Sequence, residues 1–268
     1  MSALKRPRLV VPDGIQEPQN AGSSSAPTKI LAVDIGGTKI KMLVTGATEP
    51  RKLPSGKRLT PARLMDAIKE LAQDWDYEAV SIGYPGLVGS NGPRSEPLNL
   101  GPGWVGFNYG AAFDRPVRIV NDAAMQALGS YEGGRMLFLG LGTGLGAALI
   151  ADKAIVTLEL GRLVYKDGRT FGETLGRKGL DRAGKGPWRE AVGDIVPTLM
   201  AAFVADYVVI GGGNAKLVRK LPAGARLGHN NTAFRGGFRL WHVEDLQTLV
   251  PQGGPPAPPK EAEQWRMI

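Results

Sequence analysis

The sequence predicts an α/β fold with mixed sheets, built from two similar halves. Three observations carry this. Short runs rich in β-branched residues alternate with stretches of helical periodicity. An apolar hairpin interrupted by Asp34-Ile35-Gly36-Gly37-Thr38-Lys39 opens the patterned region. A glycine-laced near-echo, Leu139-Gly140-Leu141-Gly142-Thr143-Gly144-Leu145-Gly146, recurs about 100 residues later. A hairpin joins antiparallel strands, so the sheets are not purely parallel, and a repeated hairpin suggests two similar lobes around a cleft.

In chain order, residues 1–27 are rich in Pro, Ser, Gln and Gly without apolar periodicity and read as a disordered leader. The predicted strands are Ile30–Val33, Ile40–Val44, Ala79–Gly83, Val117–Val120, Met136–Leu141, Gly146–Ile150, Ala154–Thr157 and Tyr207–Ile210. The predicted helices are Thr60–Asp74, Ala123–Ser130, Trp188–Val204, Ala215–Lys220 and Val243–Leu249. Residues 251–268, with Pro251-Gln252-Gly253-Gly254-Pro255-Pro256, read as a flexible Pro-rich tail.

The first hairpin has the chemistry of a phosphate cradle. Gly36 and Gly37 allow backbone N–H groups to approach an anion, while Thr38 and Lys39 add a hydroxyl and a positive charge. Asp34, at the strand's end, could hold a magnesium ion through a water. The plain alternative is an ordinary β-turn, since Asp-x-Gly-Gly is good turn chemistry. The second cluster, with Gly142, Thr143 and Gly144 at its centre, lacks the Gly-x-Gly-x-x-Gly spacing of a dinucleotide fold and suits a second phosphate hairpin better. Its alternative is a tight glycine turn. A third cluster, Gly211-Gly212-Gly213-Asn214, ends a buried strand and precedes a predicted helix, an arrangement able to bring backbone and a helix N-terminus to a nucleobase or phosphates.

Asn121-Asp122 lies between a strand and a helix. Asp at a helix start is commonly only an N-cap. A carboxylate at a strand's C-terminal end can instead take a proton from a substrate hydroxyl during phosphoryl transfer, with Asn121 bonding the same substrate. Glu159 and Glu173 are further acceptors for neighbouring hydroxyls, or plain surface residues.

Composition narrows the classes. Zero cysteines exclude disulfides and thiolate metal sites, and two histidines are too few for a histidine-rich metal site. No apolar run approaches the roughly 20 residues that cross a bilayer, so no membrane partner is expected. No signal peptide is recognisable, because the apolar run Leu9–Val11 stops at Pro12; a reducing cytoplasm fits. A net charge of +8 suits an anionic ligand, but aromatic residues make up only 7% and form no stripe with the basic residues, which disfavours nucleic acid.

Taken in order, these pieces resemble the ROK family (repressors, open reading frames and sugar kinases) of the actin-like, ribonuclease H-like superfamily. The anchors are Asp34–Lys39, Tyr84-Pro85-Gly86, Asn99-Leu100 before Trp104, Asn121-Asp122, Gly140–Gly146, Glu159-Leu160-Gly161 and Gly211–Asn214. Gly172–Arg177, Lys185–Trp188 and Arg235–Trp241 resemble the branch containing polyphosphate glucokinases. The resemblance implies a two-lobed actin-like fold, with a small lobe near 28–120 and a large lobe near 121–245. It implies transfer of a phosphoryl group from polyphosphate, ATP or both to a hexose such as glucose, giving the 6-phosphate, with Mg2+ and as a homodimer. Asp122 matches the general base and Asn121 a sugar contact. Gly86, Asn99, Glu159 and Glu173 match the sugar pocket, and Asp34, both hairpins and Gly211–Asn214 match the metal, phosphate and nucleotide elements. Arg162 replaces the histidine of the family's Glu-x-Gly-His segment, and the family's structural zinc has no cysteines to bind it here. A hexose kinase of this kind, a kinase for another sugar, and a catalytically impaired sugar sensor all stay open on this reading.

Overall fold

The computed structural model describes residues 26–229 and 231–243. The leader up to residue 25, the predicted helix beyond Val243 and the tail 251–268 lie outside the described residues.

The first sheet grows from the opening hairpin. Strands β1 (Ile30–Ile35) and β2 (Lys39–Val44) pair antiparallel, and β3 (Arg51–Pro54) extends the edge. Helix α1 (Pro61–Leu71) follows. Thr60 caps it by accepting from the Arg63 amide, Pro61 occupies its first turn, and Leu64, Met65 and Ile68 form its buried stripe. Strand β4 (Ala79–Tyr84) returns parallel to β1. After the short β5–β6 hairpin (Val88–Gly89, Gly92–Pro93) and helix α2 (Tyr109–Phe113), β7 (Val117–Asn121) completes the order β3-β2-β1-β4-β7. β1 and β4 are buried at every position, as strands covered on both faces must be.

Helix α3 (Asp122–Ser130) leads directly into a second sheet of the same plan. Strands β8 (Met136–Leu141), β9 (Leu145–Ala151) and β10 (Ala154–Leu158) form an antiparallel meander. Helices α4 (Phe171–Leu175), α5 (Arg177–Ala183) and α6 (Lys185–Ala202) then cross to β11 (Tyr207–Gly211), which runs parallel to β8, with β12 (Ala225–Leu227) outside it. The order β10-β9-β8-β11-β12 repeats that of the first sheet strand for strand, which bears out the repeat expected from the two glycine hairpins. Helix α7 (Thr232–Arg239) closes the described chain.

The seam between the sheets is made of small residues. Ala123, Ala124 and Ala127 of α3 pack with Phe138, Ala148 and Val209 of the second sheet. On its other side Met125 meets Ala233 and Leu240, while Phe234 of α7 packs on Ala32 and Leu43. A Cβ on Gly129 would lie 1.8 Å from the Thr232 carbonyl oxygen, and one on Gly236 would lie 1.7 Å from that of Met125. The two helices therefore touch backbone to backbone. Ser81 of β4 donates to the Gly237 carbonyl at 2.6 Å and accepts from Trp241 Nε1 at 2.9 Å. So α7 lies on the first sheet, although the sequence expectation groups residues 121–245 in the second half.

One expected helix needs correction. The helix predicted over Ala215–Lys220 is a single 3-10 turn, Ala215–Leu217, with Val218 already extended. Pro222, which disfavours helical backbone at Leu221, leaves it no room to continue. Strands β3, β5, β6 and β12 and helices α2, α4, α5 and α7 were not expected; all are short, and periodicity over so few residues is weak.

Candidate active site

Both sheets point a hairpin at the same place. The first turn, Gly36 to Thr38, is closed by the Gly36 amide donating to the Lys39 carbonyl at 3.1 Å, with Thr38 and Lys39 exposed. The second turn is closed by the Gly142 amide donating to the Gly144 carbonyl at 3.1 Å. Gly37 measures how near the two come: a Cβ there would stand 3.1 Å from Thr143 Oγ1 and 3.4 Å from Asn99 Nδ2. The two hairpins and Asn99, about 100 residues apart in sequence from hairpin to hairpin, thus converge. Gly142 and Gly144 have open space where a side chain would sit.

The third glycine cluster supports the second hairpin. Gly212 adopts φ +81°, and a Cβ there would sit 2.5 Å from the Leu141 carbonyl oxygen, so only glycine fits. Asn214 is buried; its side-chain amide donates to the Gly142 carbonyl at 3.0 Å and its backbone amide to Leu141 at 2.9 Å. Because only a 3-10 turn follows, the helix N-terminus expected here is absent, and the side-chain amide of Asn214 braces the second hairpin. Gly211 backs onto the Phe138 ring, while Gly213 faces open space.

Asp122 begins α3, but Asn121 is the cap. Asn121 Oδ1 accepts from the amides of Ala123 and Ala124 at 2.9 and 3.3 Å, and Nδ2 donates to the Gly86 carbonyl at 3.1 Å. Both polar atoms of Asn121 are thereby engaged by protein, and the N-cap role weighed as the plain alternative for Asp122 falls to Asn121 instead. One Asp122 oxygen accepts from the Ala123 amide at 2.8 Å. Burial, followed by the negative charges of Asp34 and Glu159, pushes its carboxyl up to about 7 against the stabilising amide bond. Asp34 is buried at the end of β1, and among the described residues no hydrogen bond reaches its side chain. Burial pushes it up to about 6, with Lys41 pulling the other way. Two adjacent, poorly solvated carboxylates make a site that gains from a proton or a cation.

Glu159 caps a 3-10 turn, Leu160–Arg162, and forms an exposed ion pair with its last residue, Arg162, at 3.5 Å. The neighbouring α4 is drawn in through Gly172, where a Cβ would meet the Gly161 carbonyl at 2.9 Å. Glu173, in that helix, closes a capping box: Thr170 Oγ1 accepts from the Glu173 amide and Glu173 Oε2 accepts from the Thr170 amide at 2.9 Å. That amide bond holds its carboxyl below the usual range. One oxygen of Glu173 is therefore committed to structure.

Sequence reasoning missed Glu96. Its carboxylate accepts from the backbone amides of Trp104 and Val105 at 3.0–3.1 Å, closing the loop that carries Asn99. No periodicity marks such a clamp. Two hollows among the described residues lie away from this centre, one beside Phe234 and Phe238, the other beside Lys166 and Asp194. Among the described residues no group of three or more His, Asp or Glu is arranged to hold a metal, and no helix is long and apolar enough to cross a membrane.

A magnesium ion held by one or two carboxylates and the donor's own phosphates needs no such cluster. The buried, unbonded Asp34 carboxylate fits that role. It would hold the ion directly or through water.

Comparison with known proteins agrees with this geometry. The model of the ROK family matches residues 30–161. The bifunctional enzyme NanE/NanK of Brucella melitensis biotype 1 is 31% identical over 169 residues, which is 58% of this chain and 32% of that protein. The N-acetylmannosamine kinase of Escherichia coli O157:H7 is 30% identical over 143 residues, 47% of this chain and 49% of its own length. The match thus spans about a third to a half of the length of these relatives. Among solved structures, an inorganic polyphosphate/ATP-glucomannokinase from Arthrobacter sp. strain KM superposes with a TM-score of 0.69 at 22% identity, covering 82% of this chain and all of that one. A ROK family glucokinase from Streptomyces griseus, in complex with glucose and AMPPNP, gives 0.61 at 17% identity, covering 79% and 98%. At such identities the structures establish the fold, which is the actin-like one. Residues 30–161, just under half of the chain, are thus similar to the ROK family, and the fold is shared with a solved ROK family glucokinase.

Proposed function

We propose that this protein phosphorylates a sugar, and that the observation carrying the reading is the convergence of both glycine hairpins on Asn99 beside the coupled carboxylates Asp34 and Asp122. Asp122 acts as general base. Its carboxylate takes the proton of a sugar hydroxyl as that oxygen forms a bond to the donor's terminal phosphorus, and the bond from phosphorus to the bridging oxygen breaks. An acid pushed to about 7 is well matched to proton transfer near neutrality. Backbone amides around Gly36, Gly37, Gly142 and Gly144, with Thr38, Lys39 and Thr143, stabilise the charge on the transferring group. Mg2+, when bound at Asp34, neutralises charge on the donor phosphates.

The sugar lies against Gly86, Asn99, Glu159, Arg162 and Glu173. Asn121 acts mainly by fixing Gly86, and Gly211–Asn214 by fixing the second hairpin, with Gly213 open to the donor. The two sheets act as lobes, near 28–120 and 121–245, with α7 bracing the first from the second. The chain works in the cytoplasm, and as a homodimer.

A hexose such as glucose, phosphorylated at its terminal hydroxyl, is the acceptor we favour from the sugar pocket; the N-acetylmannosamine kinases among its relatives make N-acetylated sugars the direct competitor. The donor is polyphosphate, ATP or both, with the surplus of eight positive charges favouring polyphosphate. A second reading, a sugar sensor with impaired catalysis, draws on one observation: Arg162 spends its charge on Glu159. A matrix of ATP and polyphosphate against several hexoses and N-acetylhexosamines tests all of this. Turnover in any cell supports the kinase, sugar binding without turnover favours the sensor, and neither result defeats both.

A further inference from the structure

A groove of roughly 540 Å³ lies between α7, the β1–β2 pair and residues 26–28. Its wall is apolar, made of Ile30, Leu43, Phe234 and Phe238. Asn231 and His242 also line it, so it follows α7 from end to end, over about 16 Å. Two arginines stand on its rim, Arg235 and Arg239, one helical turn apart. Like charges at that spacing repel and weaken a helix. Arg239 donates to the Leu128 and Tyr131 carbonyls at 2.7 and 3.0 Å. Burial and then Arg235 still hold its guanidinium below the usual range; Glu132 pulls the other way but is itself paired with Arg226 at 2.7 Å. Arg235 is exposed, and among the described residues no acid or hydrogen-bond acceptor engages its side chain. A lone surface arginine needs no partner. A repelling pair beside an apolar wall suits an occupant that is apolar in one part and anionic in another.

Two stretches of chain begin at this groove. Ala26, at the start of the described residues, lines it, and so does His242, next to Val243 at their end. Charge separates the two. Residues 1–25 carry Lys5, Arg6 and Arg8 against Asp13 and Glu17, which adds to the repulsion. Residues 244–268 carry Glu244, Asp245, Glu261 and Glu263 against Lys260 and Arg266. Within them Glu261, Glu263, Trp265 and Met267 alternate with other residues. In extended backbone alternate residues share one face, which gives two carboxylates followed by two apolar groups over about 20 Å. Residues 244–260 can span up to roughly 55 Å, several times the length of α7, so the segment reaches the groove from Val243. We propose that residues 261–267 dock in this groove of their own chain, with Glu261 and Glu263 on Arg235 and Arg239 and with Trp265 and Met267 on Phe234 and Phe238. Because α7 touches both the first sheet and α3, such a strap bears on the joint between the two sheets. It is independent of the sugar-kinase reading.

The test is chymotryptic cleavage after Trp265 in the full chain, followed by mass spectrometry, with a free peptide of residues 260–268 as the undocked reference. A tethered segment sees an effective concentration on the order of 1 mM, so an affinity of only about 0.1 mM keeps it docked about nine-tenths of the time. Cleavage should therefore run about tenfold slower in the chain than in the peptide. Arg235→Glu, at an exposed position, should bring the rate most of the way to the peptide's, and so should the double variant Glu261→Arg, Glu263→Arg. Joining all three reversals should restore part of the protection, a recovery that unfolding does not produce; melting temperatures check that each variant is folded. Cleavage of the wild type at the peptide's rate overturns the proposal. So does protection that a folded Arg235→Glu leaves unchanged, or a combined variant that recovers none. Protection that fades on dilution assigns the groove to the same segment of a second copy, and protection of Leu9 in place of Trp265 assigns it to residues 1–25; either result overturns docking within one chain.

Discussion

Asp122→Asn should inactivate the protein and, at neutral pH, stabilise it. Asp122 is the group the site reading depends on most, and its position costs folding free energy. An ordinary aspartate titrates near 3.8, whereas this one is pushed up to about 7 by burial and by Asp34 and Glu159. A raised folded pKa means the native state holds the proton more tightly than the unfolded chain. The stability this gives is complete below about pH 4 and is lost as pH rises through about 7. The interval corresponds to at most about 4 kcal/mol. Because the residue still exposes part of its surface, about half of that, ~2 kcal/mol, is a fair expectation after solvent screening. Asn has no charge to lose and keeps an acceptor for the Ala123 amide, so the variant escapes the loss. For a chain of this size about 2 kcal/mol corresponds to roughly 4–8 °C in Tm. Thermal melts of both proteins without metal or donor, at pH 4 and pH 8, should show the variant gaining by that margin at pH 8 relative to pH 4. Turnover should fall by about 10²–10⁴-fold, the usual contribution of a positioned base. A Tm difference that does not change with pH, or more than about a third of wild-type turnover, would refute the reasoning.

Other perturbations probe the frame. Gly236→Ala should destabilise by about 3 kcal/mol or more, since its Cβ would meet the Met125 carbonyl and the whole helix must move; Gly193→Ala, exposed in α6 with nothing within 4 Å, should instead stabilise by about 0.5–1 kcal/mol in urea melts. Asn121→Ala should cost about 1–2 kcal/mol as a lost cap and should weaken sugar binding through the released Gly86 carbonyl, read by calorimetry. Magnesium should raise Tm more at pH 8 than at pH 5, because Asp34 is deprotonated only above about pH 6, whereas zinc or EDTA should leave Tm unchanged in a chain without cysteine. Polyphosphate affinity should fall more steeply with salt than ATP affinity, because more screened charges contribute; parallel slopes would reduce the basic surface to a solvated face.

The sequence by itself determined the strands that make both sheets, because their apolar runs are long, β-branched and bounded by glycine or charge. Met136–Leu141 matches to the residue, and most of the others differ by one or two at an end. It also determined the repeat, since two glycine hairpins spaced alike imply two like sheets, and it picked out Asp34 and Asp122 as carboxylates at strand ends. Tertiary structure decided what those residues do. That Asn121 caps α3 while Asp122 is left to the site, and that Asn214 and Glu173 are tied to protein, depends on which backbone amide or carbonyl lies within hydrogen-bond reach. No residue type reveals this in advance. The same holds for Gly129 and Gly236, which the sequence did not single out and which lie where two helix backbones touch. It holds most of all for the raised carboxyls, because desolvation is a property of everything packed around a group, and Asp34 and Asp122, far apart in sequence, are buried near one another only once the chain has folded.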